Sequence, residues 1–171
     1  MHPPRLTSEP PLKDGNKYKS KNMSTKQLKL KIVTPERLIL EEMVDQVSIP
    51  TTKGEITVLP DHIPLIALLA SGDVVAFSNG EQIPMAIVGG FVEIKKDLSD
   101  VTEVAILADF AEHVSELSDD KVEQAKARAE ELKKLMENKE HVDFEHFEAE
   151  LERSLTRVRI ADKWRTRKYR K

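Results

Sequence analysis

Asp61 and His62 are adjacent and could act as an acid/base pair, a carboxylate orienting an imidazole that moves a proton near neutral pH. No nucleophile, second base or metal-ligand set lies near them in sequence, so the pair reads as part of a loop after a strand, with His62 bonded to backbone, and not as a catalytic dyad. His141 and Glu145 stand four apart on one helix face, with His146 beside them, and such a trio could hold zinc. The spacing matches no recognised metal motif, and it falls at a solvated helix start. Thr51-Thr52-Lys53-Gly54 lacks both the leading glycine and the Gly-Lys-Ser/Thr ending of a phosphate loop. Gly89-Gly90 is not followed by a helix, so no dinucleotide fingerprint forms there. None of these candidates builds a catalytic centre; catalytic, metal and cofactor residues are all expected to be absent.

The elements that would carry these residues follow from hydrophobic period. Leu28, Leu30 and Ile32 alternate with Lys29 and Lys31, the pattern of a half-buried strand. After Val33-Thr34-Pro35 and a turn region, Val44 to Ile49 reads as a second strand closed by Pro50, and Glu55 to Leu59 as a third. Ser71-Gly72-Asp73 reads as a turn. Val74–Ser78 and Glu81–Val88 flank Asn79-Gly80, a strong hairpin signal because both central residues of that turn need positive φ. Gly89-Gly90 interrupts the ladder, and Phe91–Lys95 and Val101–Leu107 make a last pair. Many short strands with frequent turns predict a two-layer antiparallel β-sandwich or a barrel.

The period then changes. Val122, Ala125, Ala129, Leu132 and Leu135 form one helical stripe behind Ser118 as N-cap, with Asp119 and Asp120 in the first turn. Asn138–His141 break the pattern. Asp143 can cap a second helix whose stripe runs Phe144, Phe147, Leu151, Leu155, Val158. The fold class is therefore β + α: a sandwich over 27–111, an antiparallel two-helix hairpin over 112–165, and a basic tail over 166–171. Narrow stripes predict weak, reversible docking of the hairpin. Truncation after Asp109 is expected to leave a folded β domain.

The 171 residues contain 27 Lys and Arg against 30 Asp and Glu, and no cysteine. The mild negative charge argues against nucleic acid as partner. Without cysteine there is no disulfide, thiolate chemistry or Cys-ligated zinc. No run reaches the ~20 apolar residues of a membrane-spanning helix, so action at a membrane would require docking on another protein. Residues 1–26 are rich in Pro and Lys and read as a disordered tail lacking signal-peptide character. Met23 stands just before the first strand, and a start there is favoured over a true flexible tail. Basic residues from Arg153 to Lys171 exceed what the helix dipole needs and suit an acidic surface.

Pro50-Thr51-Thr52-Lys53-Gly54-Glu55, then Pro60-Asp61-His62-Ile63-Pro64-Leu65, then Gly89-Gly90-Phe91-Val92-Glu93 and Val104 to Asp109 occur in that order before the hairpin. In this the chain resembles the epsilon subunit of the rotary F-type ATP synthase, over about residues 27–165. Thr57, often Gly in that family, and Asp61, often Gly or Asn, depart from its pattern. The resemblance implies a non-catalytic central-stalk subunit that couples proton-driven rotation to ATP synthesis. Its implied partners are the gamma subunit, the c ring and the alpha/beta head. Its implied location is the cytoplasmic face of a bacterial plasma membrane, peripheral and without insertion. Glu55 and His62 match positions facing the c ring or gamma. Arg153, Arg157, Arg159 and Lys163 would meet the acidic loop of the beta subunit when the hairpin extends and suppresses hydrolysis. The family's ATP-binding Ile/Leu-Asp-x-x-Arg-Ala corresponds here to Leu117-Ser118-Asp119-Asp120-Lys121-Val122, with Asp, Arg and Ala all replaced. A lysine cannot reproduce the bidentate Arg fork. A purely structural stalk subunit and a nucleotide-binding module with a helical lid are the alternatives.

Overall fold

In the computed structural model, which describes residues 26–137 and 144–168, Leu28, Leu30 and Ile32 are completely buried along β1 (Leu28–Val33). Their alternation with Lys29 and Lys31 sets one face of a sheet inward. β1 pairs with β2 (Leu38–Val44) on one side and, in parallel, with β9 (Thr102–Leu107) on the other. β8 (Phe91–Lys96) and β5 (Leu65–Leu68) complete a five-stranded sheet in the order β2-β1-β9-β8-β5. The second five-stranded sheet runs β10-β7-β6-β3-β4, from β10 (Phe110–His113), β7 (Glu81–Val88), β6 (Gly72–Ser78), β3 (Gln46–Thr51) and β4 (Gly54–Val58). The inward side chains of both sheets, among them Val47, Ile49, Met85, Ile87, Ile94 and Ile106, form a single core.

Four readings from sequence change. β2 was a turn region because only Val44 of its seven side chains is buried, which erases the alternation. Pro50 lies within β3 and does not end it. The β6 ladder stops at Ser48, so the missing Pro50 N–H leaves no bond unmade there, while the Pro50 carbonyl accepts from Ala70 at 3.1 Å. Gly72 and Asp73 open β6, where a turn was expected, and β5 and β10 had not been recognised as strands.

The glycine signals hold. Asn79 (φ 52) and Gly80 (φ 83) turn the β6–β7 hairpin in the left-handed region. Gly90 (φ 93) passes β8 so close to β9 that a Cβ would strike the Leu107 carbonyl oxygen and the Ala108 backbone.

Val114–Glu116 form a 3-10 turn before α1 (Asp119–Glu137). Ser118 caps α1, its Oγ accepting from Lys121 N at 3.4 Å. Val122, Ala125, Ala129 and Leu132 are buried as the stripe requires, whereas Leu135 is exposed. α2 (Phe144–Lys168) departs further. Its buried residues are Ser154, Thr156, Ile160 and Ala161, while Leu155 is exposed and Phe147, Leu151 and Val158 are only half-buried. The helix presses on the second sheet with small and polar side chains, so its packed face is rotated away from its leucines. The tail over 1–25, the break at Asn138–His141, the Asp143 cap and the side chain of Phe144 lie outside the described residues.

Candidate functional site

Two surfaces carry the expected site residues. The first is β4, an edge strand of the second sheet, with the loop that leads from it to β5 of the β1-containing sheet. Glu55 is exposed on β4, an edge strand, opposite Pro50. His62 is half-buried in the β4–β5 loop, with Nδ1 2.7 Å from the Ile63 carbonyl. β4 runs between the two residues, and no hydrogen bond among the described residues joins them. Asp61 takes φ 67, a conformation that favours Gly or Asn and accounts for those residues at this place in the family pattern. Its N–H donates to Thr102 Oγ1 at 2.8 Å. Its carboxylate meets Lys26 at 2.8 Å and Lys96 at 3.0 Å, and these two cations hold the carboxyl below the usual range. Asp61 therefore fixes the loop and is not aimed at His62.

The outer face of the β1-containing sheet holds what the sequence reading missed. Leu68 pairs with Phe91, Phe91 with Leu107, Leu107 with Val33, and Val33 with Leu38, which is one apolar row crossing all five strands. Leu68 is 65% exposed, Leu38 50%, and Phe91 and Leu107 42% each. Ile66, next outward on β5, is also exposed. The rest of this face is a charged lattice, with Lys95–Glu93 at 2.9 Å and Lys29–Glu41 at 2.7 Å. Apolar residues at the outward positions of alternating strands were the available signal; their alignment needed the register.

The second surface lies between α2 and the sandwich, and there the structure gathers the four cations expected to contact a head. Arg157 Nε donates to Glu112 Oε2 at 2.8 Å, and its guanidinium sits 4.6 Å from the Phe110 ring centroid. Arg153 lies 5.9 Å over the same ring and reaches the Asp109 carbonyl at 3.4 Å. Arg159 donates to the Ser71 carbonyl at 2.7 Å. Lys163 Nζ is 2.7 and 2.8 Å from the two Asp73 carboxylate oxygens, and Trp164 Nε1 donates to one of them at 3.0 Å. Lys121 of α1 completes the Glu112 pair at 2.8 Å. Burial pushes the Glu112 carboxyl up, but Lys121 and Arg157 together outweigh it and leave the group below the usual carboxylate range. Ala86, Leu117, Val122, Ile160 and Ala161 form the small apolar contact around these pairs.

A cleft of about 1010 Å³ opens between the hairpin and Phe110, lined by Lys121, Arg128, Arg153 and Arg157. Arg128 is bound there to Glu150 at 2.8 Å. The described residues contain no cluster of His, Cys, Asp and Glu able to hold a metal. The outlying Glu145 is exposed, and His141 lies outside the described residues.

A family model described as "ATP synthase, Delta/Epsilon chain, beta-sandwich domain" matches residues 27–114. An ATP synthase epsilon chain from Nitratidesulfovibrio vulgaris is 39% identical, across 79% of this chain and 96% of its own. Another from Herpetosiphon aurantiacus is 37% identical, across 82% and 98%. A chain of the Euglena gracilis mitochondrial ATP synthase (OSCP/F1/c-ring) superposes with a TM-score of 0.58 at 22% identity, across 89% of this chain and 94% of that one, a likeness of fold.

Proposed function

This chain belongs to the ATP synthase epsilon-chain family, and we propose that it is a non-catalytic central-stalk subunit coupling rotation to ATP synthesis. The apolar row Leu38–Val33–Leu107–Phe91–Leu68 carries this reading. A folded chain seldom leaves so regular an apolar row bare on a sheet face unless a partner covers it. Gamma is the partner assigned to it. Glu55 and the His62 loop, which also exposes Leu59 and Ile63, are assigned to the c ring or to gamma. Among the described residues no helix is long and apolar enough to cross a membrane, which fits a subunit peripheral to the membrane through its partners. The cytoplasmic face of a bacterial plasma membrane is the proposed site of action.

The hairpin is assigned an inhibitory role. Its four basic residues turn inward here, so contact with a head requires α2 to leave the sandwich. The test is ATP hydrolysis by an alpha, beta and gamma head with full-length protein and with a chain ending at Leu117. Suppression by the full chain, and binding without suppression by the shorter one, is expected. Binding of both without suppression would reduce the hairpin to a structural part, and binding of neither would overturn the stalk reading.

The cleft supports a second reading, a polyanion such as a nucleoside triphosphate held by Arg128, Arg153 and Arg157. The residues fit in charge, but Glu150 already occupies Arg128 and Glu112 occupies Arg157, so a phosphate would have to displace both carboxylates. Calorimetric titration with ATP tests it. Saturable binding that Arg153→Ala abolishes supports the site; no heat at millimolar ATP removes it.

A further inference from the structure

Each basic residue of α2 from Arg153 to Lys163 finds its acceptor on the sandwich or the loops at its edge, and two of those acceptors are nearly buried carboxylates. Asp73 opens β6 and Glu112 lies in β10, with side chains 10% and 8% exposed. Nothing in strand architecture calls for an acid at either place; each is retained on the face that α2 covers. Asp73 takes Lys163 and Trp164, while Glu112 takes Arg157 from α2 and Lys121 from α1. Around them the apolar contact of α2 is limited to Ile160 and Ala161, with Val158 and Trp164 half-covered. The leucines of the helix stay out of it, Leu155 being exposed.

We propose that Asp73 and Glu112 are the two jaws of an ionic clasp that sets how often the hairpin leaves the sandwich. Each jaw offers a carboxylate already stripped of water, so its bond to a cation is short and directional. Losing the cation leaves a buried charge without a counterion, which makes opening cooperative. The cations are partly exposed, Lys163 by 39% and Arg157 by 32%, so salt can compete for them. A clasp of this kind holds the helix in one registration and still lets it go, which a leucine interface would not. The clasp deepens the switch reading above and rests on it only for what release accomplishes.

The full chain, without any partner, provides the test, because its single tryptophan sits at one jaw. Trp164 emission is followed against salt for the parent protein, Glu112→Gln, Asp73→Asn and the double variant, with far-UV circular dichroism reporting the β-sheet. Glu112→Gln is the decisive arm. Glu112 grips α2 at Arg157, about two turns from Trp164, so an emission shift there reports movement of the helix. The released population should rise roughly tenfold for each jaw removed, the order expected for loss of a charge-assisted bond. The double variant should be red-shifted at low salt and indifferent to added salt. Unchanged emission and unchanged salt response in Glu112→Gln would overturn the clasp. If the acid variants lose β structure, Arg157→Gln with Lys163→Gln, made on the exposed side of the same bonds, gives the same two outcomes. Failure of the stalk reading would appear separately, as absence of gamma binding with these results intact.

Discussion

Gly90 and Asp61 show how much one position can disclose. At Gly90 the backbone takes φ 93 and a side chain would meet the Leu107 carbonyl, so Gly90→Ala should destabilise the sandwich by about 3 kcal/mol, through both conformation and collision. Urea unfolding measures it. Asp61 is the opposite case. Its left-handed φ of 67 costs a non-glycine residue about 1 kcal/mol, and its two ion pairs are solvent-screened and contribute little. Asp61→Gly should therefore change unfolding stability by less than about 1 kcal/mol. Glu112 sets an acid limit. Its folded-state carboxyl is held below the ordinary range by Lys121 and Arg157, so its contribution is complete above the ordinary carboxylate pKa and is lost as pH falls through the folded value. Hairpin docking, read by Trp164 emission, should hold above the ordinary carboxylate range and loosen as pH falls below it, with Glu112→Gln reducing that acid step. Asn79-Gly80 and Gly89-Gly90 were legible in the sequence because their constraint is local, whereas Gly72, at ordinary φ inside β6, was misread as a turn. The Glu112 and Asp73 pairs were not, since their partners lie 45 and 90 residues away.

Among the elements, legibility followed burial contrast. β1 announced itself because its inward residues are fully buried and its outward ones are lysines, and the Asn79-Gly80 hairpin because its turn chemistry is strict. β2 hid because only one of its seven side chains is buried, and β5 because its exposed positions are as apolar as its covered ones. α2 misled because a leucine stripe was read as the packed face, whereas Ile160 and Ala161, with Val158 and Trp164 at their side and ion pairs around them, make the contact. β10 bears on where the sandwich may be cut. It pairs with β7 from Phe110 to His113 and places Ala111 in the core, so truncation after Asp109 removes an edge strand. Such a chain should melt on the order of 10 °C below one ending at Leu117, as loss of one or two kcal/mol does in a domain of this size. Thermal unfolding of the two truncations compares them directly, and equal melting temperatures would make β10 an appendage of the hairpin.

At the scale of the whole molecule, the outer sheet face and the α2 face are built for different kinds of contact. The α2 face is ionic and small in apolar area, suited to reversible contact. The row from Leu38 to Leu68 is apolar and continuous across the sheet, suited to lasting contact with a partner. Its sequence signal was scattered over five strands, and only their register turned it into a surface. Phe91 and Leu107 lie at its middle, neighbours across the β8–β9 ladder, and an interface of this kind draws most of its energy from such central anchors. Phe91→Ser with Leu107→Ser should weaken gamma binding at least about a hundredfold, since two anchors of roughly 1.5–2 kcal/mol each are lost. Because both side chains are 42% exposed, the isolated sandwich should lose no more than about 1–2 kcal/mol. Paired substitutions in the charged part of the same face, Glu93→Gln with Lys95→Gln, should leave binding within about threefold, as exposed ion pairs contribute little. Binding to purified gamma, measured beside urea unfolding of each variant, separates a lost surface from a lost fold. Full affinity in the serine double variant would move gamma off this row and leave the apolar face to some other occupant.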